Sequence, residues 1–148
     1  MNILEGKTTD PNIYKHSYLI VLAFEREWKD SSNRLHSIVL RFKELSGKYG
    51  DNAYWFIIVD ESYQIVATAT TGITTENTIH LYNLLVTPEY RKKGYCRKLF
   101  NRVLEYAKNL KMNLFLYTDS SLIDMYKSFG GIVVSQDEKR AKIFYNLL

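Results

Sequence analysis

The chain has little of what cross-links or interrupts a fold. One cysteine, Cys96, stands among 148 residues, which excludes an intrachain disulfide framework and fits a reducing compartment. Two prolines and seven glycines are too few for a Pro/Gly-rich linker, and no repeat or low-complexity stretch divides the chain. Long apolar runs are missing too. The longest, YLIVLAF at 18–24, is far short of the roughly 20 residues that span a bilayer. The opening residues, MNILEGKTTD, lack the basic and apolar regions of a signal peptide. Together these absences predict a soluble cytoplasmic protein, with residues 1–148 forming a single domain. Charge of one sign is also scarce. Twenty basic against sixteen acidic side chains give +4, a bias that suits an anionic ligand but is too weak to indicate nucleic acid.

What is present falls into two textures. Asp10-Pro11 is a helix start, and Ile13, Ser17, Ile20, Val21, Phe24 and Trp28 follow it at helical spacing. DSSN at 30–33 breaks that pattern and caps a second helix with Leu35, Ile38, Val39, Phe42 and Leu45 on one face. Beyond SGKYGDN the chain becomes rich in β-branched and aromatic residues: AYWFIIVD, QIVATATT and TIHLYNLLVT read as three strands, the first two joined as a hairpin through ESY. Residues 94–110 are predicted helical, with Leu99, Val103, Tyr106, Ala107 and Leu110 inward. Then come the strand MNLFLYT, a short helix SLIDMYKSF stopped by Gly130-Gly131, and closing strands in GIVV and KIFYNLL. The order predicts the α/β (α+β) class: a mixed, mostly antiparallel sheet of six to seven strands flanked by about four helices. KIFYNLL is expected at an edge of that sheet, open to pairing with a second copy.

At the join of the third long strand and the following helix stands LLVTPEYRKKGYC, residues 84–96. A helix N-terminus offers unpaired N–H groups and the positive end of the dipole, which suits phosphate oxygens. Arg91, Lys93 and Arg97 add positive charge, and Gly94 lets backbone approach closely. The same residues also make an ordinary solvated turn. The spacing is neither GxxxxGK[ST] nor GxGxxG, so a nucleotide triphosphatase is not indicated.

Residues 81–100, LYNLLVTPEYRKKGYCRKLF, resemble the cofactor motif of the GNAT superfamily of N-acetyltransferases: a strand, a V-x-P-x-x-R turn, then R/Q-x-x-G-x-G/A opening a helix. A second match, LFLYTDSSLIDMYKSFGG at 114–131, is similar to the family's strand followed by N-x(6)-Y-x-K-x-G-F. The resemblance implies the GNAT fold, acetyl-coenzyme A as acyl donor without a metal, and transfer to an amine by direct attack in a ternary complex. It implies that amides of Arg91, Lys92, Lys93, Gly94, Tyr95, Cys96 and Arg97 hold the pyrophosphate. Leu84, Leu85 and Val86 would lie along the pantetheine arm, with the Leu84 amide polarising the thioester carbonyl. Three positions depart from the pattern. Cys96 replaces Gly or Ala, Gly131 replaces Phe, and Asp119 replaces an Asn that donates to the pantetheine arm, which an ionised Asp cannot do.

Tyr126 matches the family's general acid. With an unperturbed pKa of about 10 against roughly 8.5 for a thiol, it is protonated at neutral pH and able to donate to the departing thiolate. An acceptor amine of pKa about 10.4 is almost wholly charged at pH 7, so a base is expected. In the family's histone-acetylating branch that base is a glutamate eleven residues before the R/Q-x-x-G-x-G/A motif, and counting back from Arg91 reaches His80. Glu76 and Tyr82 are its rivals, and strand alternation puts Tyr82 and Leu84 on the His80 face. His16 and His36 read as structural. Cys96 at a helix start also raises a nucleophilic thiol partnered by His80.

Two other classes stay open at this point. The basic residues between Arg91 and Lys111 suit a nucleic-acid-binding helix, although no helix-turn-helix completes it. Asp119 and the uncertain base suit an inactive acyl-coenzyme A sensor. For the acceptor, expected near 24–35 and the 70–77 loop, Glu25, Glu27, Asp30 and Glu76 would attract a cationic amine, with Trp28 beside it. No membrane partner is expected, and either a monomer or a homodimer fits.

Overall fold

The computed structural model describes residues 1–28 and 37–148. Strand β1 (Asn2–Lys7) turns into α1 (Pro11–Tyr14), where the Asp10 side chain accepts the Asn12 amide at 2.8 Å and Pro11 takes the position that needs no donor. The single helix expected from Pro11 to Trp28 is in fact two. The His16 amide bonds back to the Ile13 carbonyl at 3.0 Å, an i−3 closure that ends α1, and α2 (Ser17–Trp28) starts afresh. His16 itself is buried and stacks on Tyr63 at 6.1 Å, so the break is fixed by packing. Helix α3 (Ile38–Leu45) buries Arg41, Phe42 and Leu45, whereas Ile38 and Val39, expected inward, are exposed. Expectations for the 30–33 cap, Leu35 and His36 lie outside the described residues.

Strands β2 (Tyr54–Val59), β3 (Ile65–Ile73) and β4 (Ile79–Val86) form an antiparallel meander beside β1. Helix α4 (Tyr95–Asn109) then crosses to β5 (Leu114–Asp119), and α5 (Ile123–Ser128) leads to the hairpin of β6 (Ile132–Gln136) and β7 (Arg140–Tyr145). The seven strands make one sheet in the order β1-β2-β3-β4-β5-β7-β6, with β4–β5 as its parallel pair. This is the mixed, mostly antiparallel α/β class expected from sequence. The edge assignment is corrected, because β7 inserts beside β5 and leaves β6 outermost.

Period-two alternation divides the core. In β2, Phe56 and Ile58 face α4, while Trp55, Ile57 and Val59 face α1–α3. Helix α4 contributes Leu99, Phe100, Val103 and Ala107, while Leu110, expected inward, is exposed. Its outer side is tied to β1 by Arg102, which makes a two-pronged bond to the Glu5 carboxylate at 2.8 and 2.6 Å.

The segment after α3 is locked to the sheet by one close approach. The Tyr49 ring, from the 3₁₀ segment Gly47–Asn52, lies on Gly72 of β3 so closely that an added Cβ would sit 2.1 Å from it. Gly72→Ala is expected to destabilise the protein by about 1–3 kcal/mol through overpacking, read from the denaturant midpoint. Tyr49→Ala in the same chain should recover part of that loss, and an equal loss in both backgrounds would clear the ring as the obstacle.

Candidate active site

The site begins with an interrupted ladder. β4 and β5 pair only over Ile79–Leu114, His80–Phe115 and Leu81–Leu116. Beyond that, β4 stays with β3 as far as Val86, and β5 stays with β7 as far as Asp119. Between Tyr82–Val86 and Tyr117–Asp119 the facing edges therefore diverge into a fork with no ladder across it. The cause lies in β4: Tyr82 pairs with Thr70 and Leu85 with Thr68, so Asn83 and Leu84 together oppose Ala69 alone. This is a β-bulge, with Asn83 in the left-handed region at φ 54, which Asn tolerates better than most residues. The bulge is pinned from the α3 side, where Asn83 Nδ2 donates to the Leu45 carbonyl at 2.6 Å and the Tyr82 hydroxyl to the Ser46 carbonyl at 2.5 Å.

The bulge corrects the expected face assignment. Ile79 and Leu81 point to the α4 side and His80 and Tyr82 away from it, but past the extra residue Leu84 and Val86 turn to the α4 side. Leu85 turns to the other core cluster. Leu84 therefore does not share a face with His80. A bulge also leaves one residue's backbone out of its neighbour's ladder, and here that happens at the Asn83–Leu84 step bordering the fork.

At the mouth of the fork the chain makes the 3₁₀ turn Pro88–Tyr90 and then the basic loop. Lys92 and Gly94 both have positive φ, 60° and 85°, interleaved with ordinary residues, an alternation that turns successive N–H groups toward one concavity. Gly94 is the N-cap of α4 and supplies no side-chain cap, and a Cβ there would meet nothing within 4 Å. The first amides of a 15-residue helix thus open onto free space beside Lys92 and Lys93. These features fit a diphosphate. Arg91 takes another part, donating from Nε to the Val86 carbonyl at 3.0 Å and pairing with Glu27 of α2. Arg97 lies over the Phe129 ring at 4.7 Å. With Arg102 held by Glu5, three cations of the supposed nucleic-acid helix are already engaged.

Tyr126 of α5 is buried with Phe100 and Phe129 around it, and the Tyr145 hydroxyl donates to its backbone carbonyl at 2.7 Å. Burial raises its phenol pKa, and the nearby Cys96 thiol adds to the rise, so it is held in the protonated form close to the start of α4. Burial also raises the Cys96 thiol, the reverse of what an activated nucleophile needs. Asp119 ends β5 at the fork, exposed, and its carboxylate accepts the Ser121 amide at 3.5 Å.

His80 sits at the closed end of the fork, on the face away from Tyr126. Its Nδ1 meets the Tyr49 hydroxyl at 3.2 Å and its ring stacks on Phe115 at 4.8 Å. Burial first, then the charges of Lys48 and Lys142, push its pKa down to about 4. Glu76 lies in the exposed turn between β3 and β4, beyond that closed end. Of the expected 70–77 loop, residues 70–73 belong to β3. Glu27 is spent on Arg91, and Glu25 lines a separate cavity of about 750 Å³ with Leu19, Leu22, Asp60 and Tyr90. Asp30 and the Trp28 side chain lie outside the described residues. Sequence reasoning missed the bulge and the Tyr49 contact. The signal available was Asn83, a turn former inside an otherwise apolar strand.

Comparisons with known proteins bear on the fold. The chain aligns along its full length with an aminoglycoside 6'-N-acetyltransferase crystallised with coenzyme A, at 14% identity over 98% of that chain and a TM-score of 0.77. The aminoglycoside 6'-N-acetyltransferase of Enterococcus faecium gives 14% identity, the same two coverages and 0.75. Escherichia coli ElaA gives 14% identity over 98% of this chain and 99% of that one, with a TM-score of 0.73. At these identities the likeness is one of fold. A search of curated protein sequences gives no match. The sequence model of the acetyltransferase (GNAT) family, however, matches residues 15–130, well over half of the chain, and takes in the bulged strand, the cradle and Tyr126. The chain belongs to the acetyltransferase (GNAT) family, whose acyl donor is acetyl-coenzyme A.

Proposed function

We propose that the protein moves an acetyl group from acetyl-coenzyme A to a primary amine by direct attack in a ternary complex. The observation that carries this reading is the fork, with unpaired β4 and β5 edges leading straight into an uncapped helix start. An extended pantetheine arm would lie against Leu84, Leu85 and Val86 as an added strand. The amides from Lys92 to Arg97 would receive the pyrophosphate, and the backbone freed at the bulge makes Leu84 the donor to the thioester carbonyl. Arg91 keeps the loop against α2. Bound acetyl-coenzyme A supplies the activated acyl group, and every other contribution comes from the chain.

Tyr126 is the acid in this scheme. A phenol raised above its usual range holds its proton at any physiological pH, so it is always present as a donor to hydrogen-bond the thiolate as charge develops on the departing sulfur. His80 takes a smaller part than a general base. At about 4 it is neutral near pH 7, but it is a weak base toward an ammonium of pKa about 10.4. It holds a water or the incoming amine, and solvent takes the proton.

Tyr126→Phe is expected to lower kcat by about 10²–10⁴-fold while keeping the thermal shift given by acetyl-coenzyme A. That shift corresponds to about 2.7 kcal/mol at 100 times Kd. An unchanged kcat would make Tyr126 a packing residue, and a wild-type protein with no shift would sink the transferase reading.

The His80 ring is expected to stay neutral in an NMR titration until the pH falls to about 4. Log kcat/KM should show no inflection near 6.5, and His80→Gln should cost less than about tenfold, below the usual range for a general base. An inflection near 6.5 that disappears in the variant would restore His80 as the base.

A further inference from the structure

Acceptor chemistry belongs on the face of the fork opposite Tyr126, and that face has a definite character. Alternation and register set His80, Phe115 and Phe144 in one row across β4, β5 and β7, with Tyr117 and Lys142 in the next. Tyr82 and Tyr117 are the first residues past the last β4–β5 pair, so they flank the crotch itself. Tyr49 closes one side, 5.9 Å from the His80 ring and 5.7 Å from that of Tyr82. On the other side Lys142 holds its ammonium 4.7 Å from the Phe115 ring and 5.8 Å from Tyr117, while Lys48 stands over Tyr49 at 5.3 Å. The result is a groove with an aromatic floor and an ammonium at each wall.

Neither Lys48 nor Lys142 enters an ion pair among the described residues. Of the acids on the flanking segments, Asp137 accepts the Lys139 and Arg140 amides at 2.8 Å and Asp119 accepts that of Ser121, while Asp51 and Glu138 are exposed and form no ion pair with either lysine. Both lysines act on the groove, since both depress His80. A polycation brought here would meet like charge at both walls, whereas a carboxylate on a planar body would satisfy walls and floor together.

We propose that this groove binds the acceptor, and that the acceptor is a small amine bearing a carboxylate and an aromatic or planar apolar group. The inference rests on the transferase reading and names the substrate class of that same site. Lys142 and Lys48 hold the carboxylate, and Phe115, Tyr117 and Tyr49 face the planar group. His80 and Tyr82 stand between that body and the fork, where the amine meets the acyl carbon.

The test uses N-acetyl-L-phenylalanine and N-acetylphenethylamine, acetylated forms of a pair of amines that differ by one carboxylate. Each is titrated, alongside spermidine, into the protein saturated with coenzyme A, with the ring resonances of His80 and Phe115 followed by NMR. The carboxylate member is expected to shift those resonances and to bind about tenfold tighter or more, the worth of one charge-assisted contact. That preference should shrink with salt and vanish in Lys142→Glu, which should keep the acetyl-coenzyme A thermal shift. Equal binding by the two members, tighter binding of spermidine, or rings that respond to none of them would overturn the inference. Loss of the acetyl-coenzyme A shift in the wild type would instead overturn the transferase reading beneath it.

Discussion

The early end of the β4–β5 ladder is the constraint on which the rest of the structure depends. A parallel pair inside a sheet normally continues until one strand ends, because each unpaired backbone group away from water costs free energy. Here pairing stops after Leu81 and Leu116 although both strands run on. The bulge at Asn83–Leu84 bends β4, and two bonds from Asn83 and Tyr82 to the end of α3 hold the bend in place. On the far side β7 claims β5 along its whole length. Each strand keeps its outer partner and forgoes the inner one, so the sheet has a built-in gap that suits an extended chain.

That gap also separates the chemistry by face. On the α4 side the buried Tyr126 phenol is held protonated, and its neighbour Cys96 is held as a thiol. On the opposite side His80 is held neutral. The shifts differ in direction but share a first cause, which is burial disfavouring charge. On the proposed reading, a neutral group on either side of the thioester suits a reaction in which a proton leaves one partner and another reaches a second. The same bulge that opens the fork also moves Leu84 from the His80 face to the Tyr126 face, so donor-side and acceptor-side groups do not compete for one surface.

Much of this is legible in the sequence because it is written locally. The cradle follows from a strand, a proline turn and a glycine before an amphipathic helix, each a short-range signal, and the two motifs fix the order of β4, α4, β5 and α5. The sheet order is harder to read, since nothing local in KIFYNLL says that it will insert between β5 and β6. The bulge escapes because period-two alternation assumes an unbroken ladder, and one extra residue reverses every assignment after it. The fit of Tyr49 onto Gly72 joins residues that are distant in sequence and leaves no periodic trace. Gly131 reads as a departure from the family pattern, yet a Cβ there would lie 2.4 Å from Ile143. Packing, not chemistry, requires it.

The likeness to aminoglycoside acetyltransferases bears on the fold and carries little weight for the acceptor. The proposed donor half of the site uses mostly main-chain amides, which many sequences would supply equally well, and similarity of fold survives at 14% identity. The proposed acceptor half is built from side chains on β4, β5, β7 and the 3₁₀ segment after α3, and of these Lys48, Phe115, Tyr117 and Lys142 are free to change without touching the bulge that Tyr82 helps to hold. An aminoglycoside is a polycation and calls for carboxylates where it binds. The groove beside this fork presents Lys48 and Lys142 over aromatic rings instead, and of the acids expected to draw a cationic amine, Glu27 is bound to Arg91 and Glu76 stands beyond the closed end. On the proposed reading, two chains that share one fold are thus able to demand opposite charges of the acceptor amine.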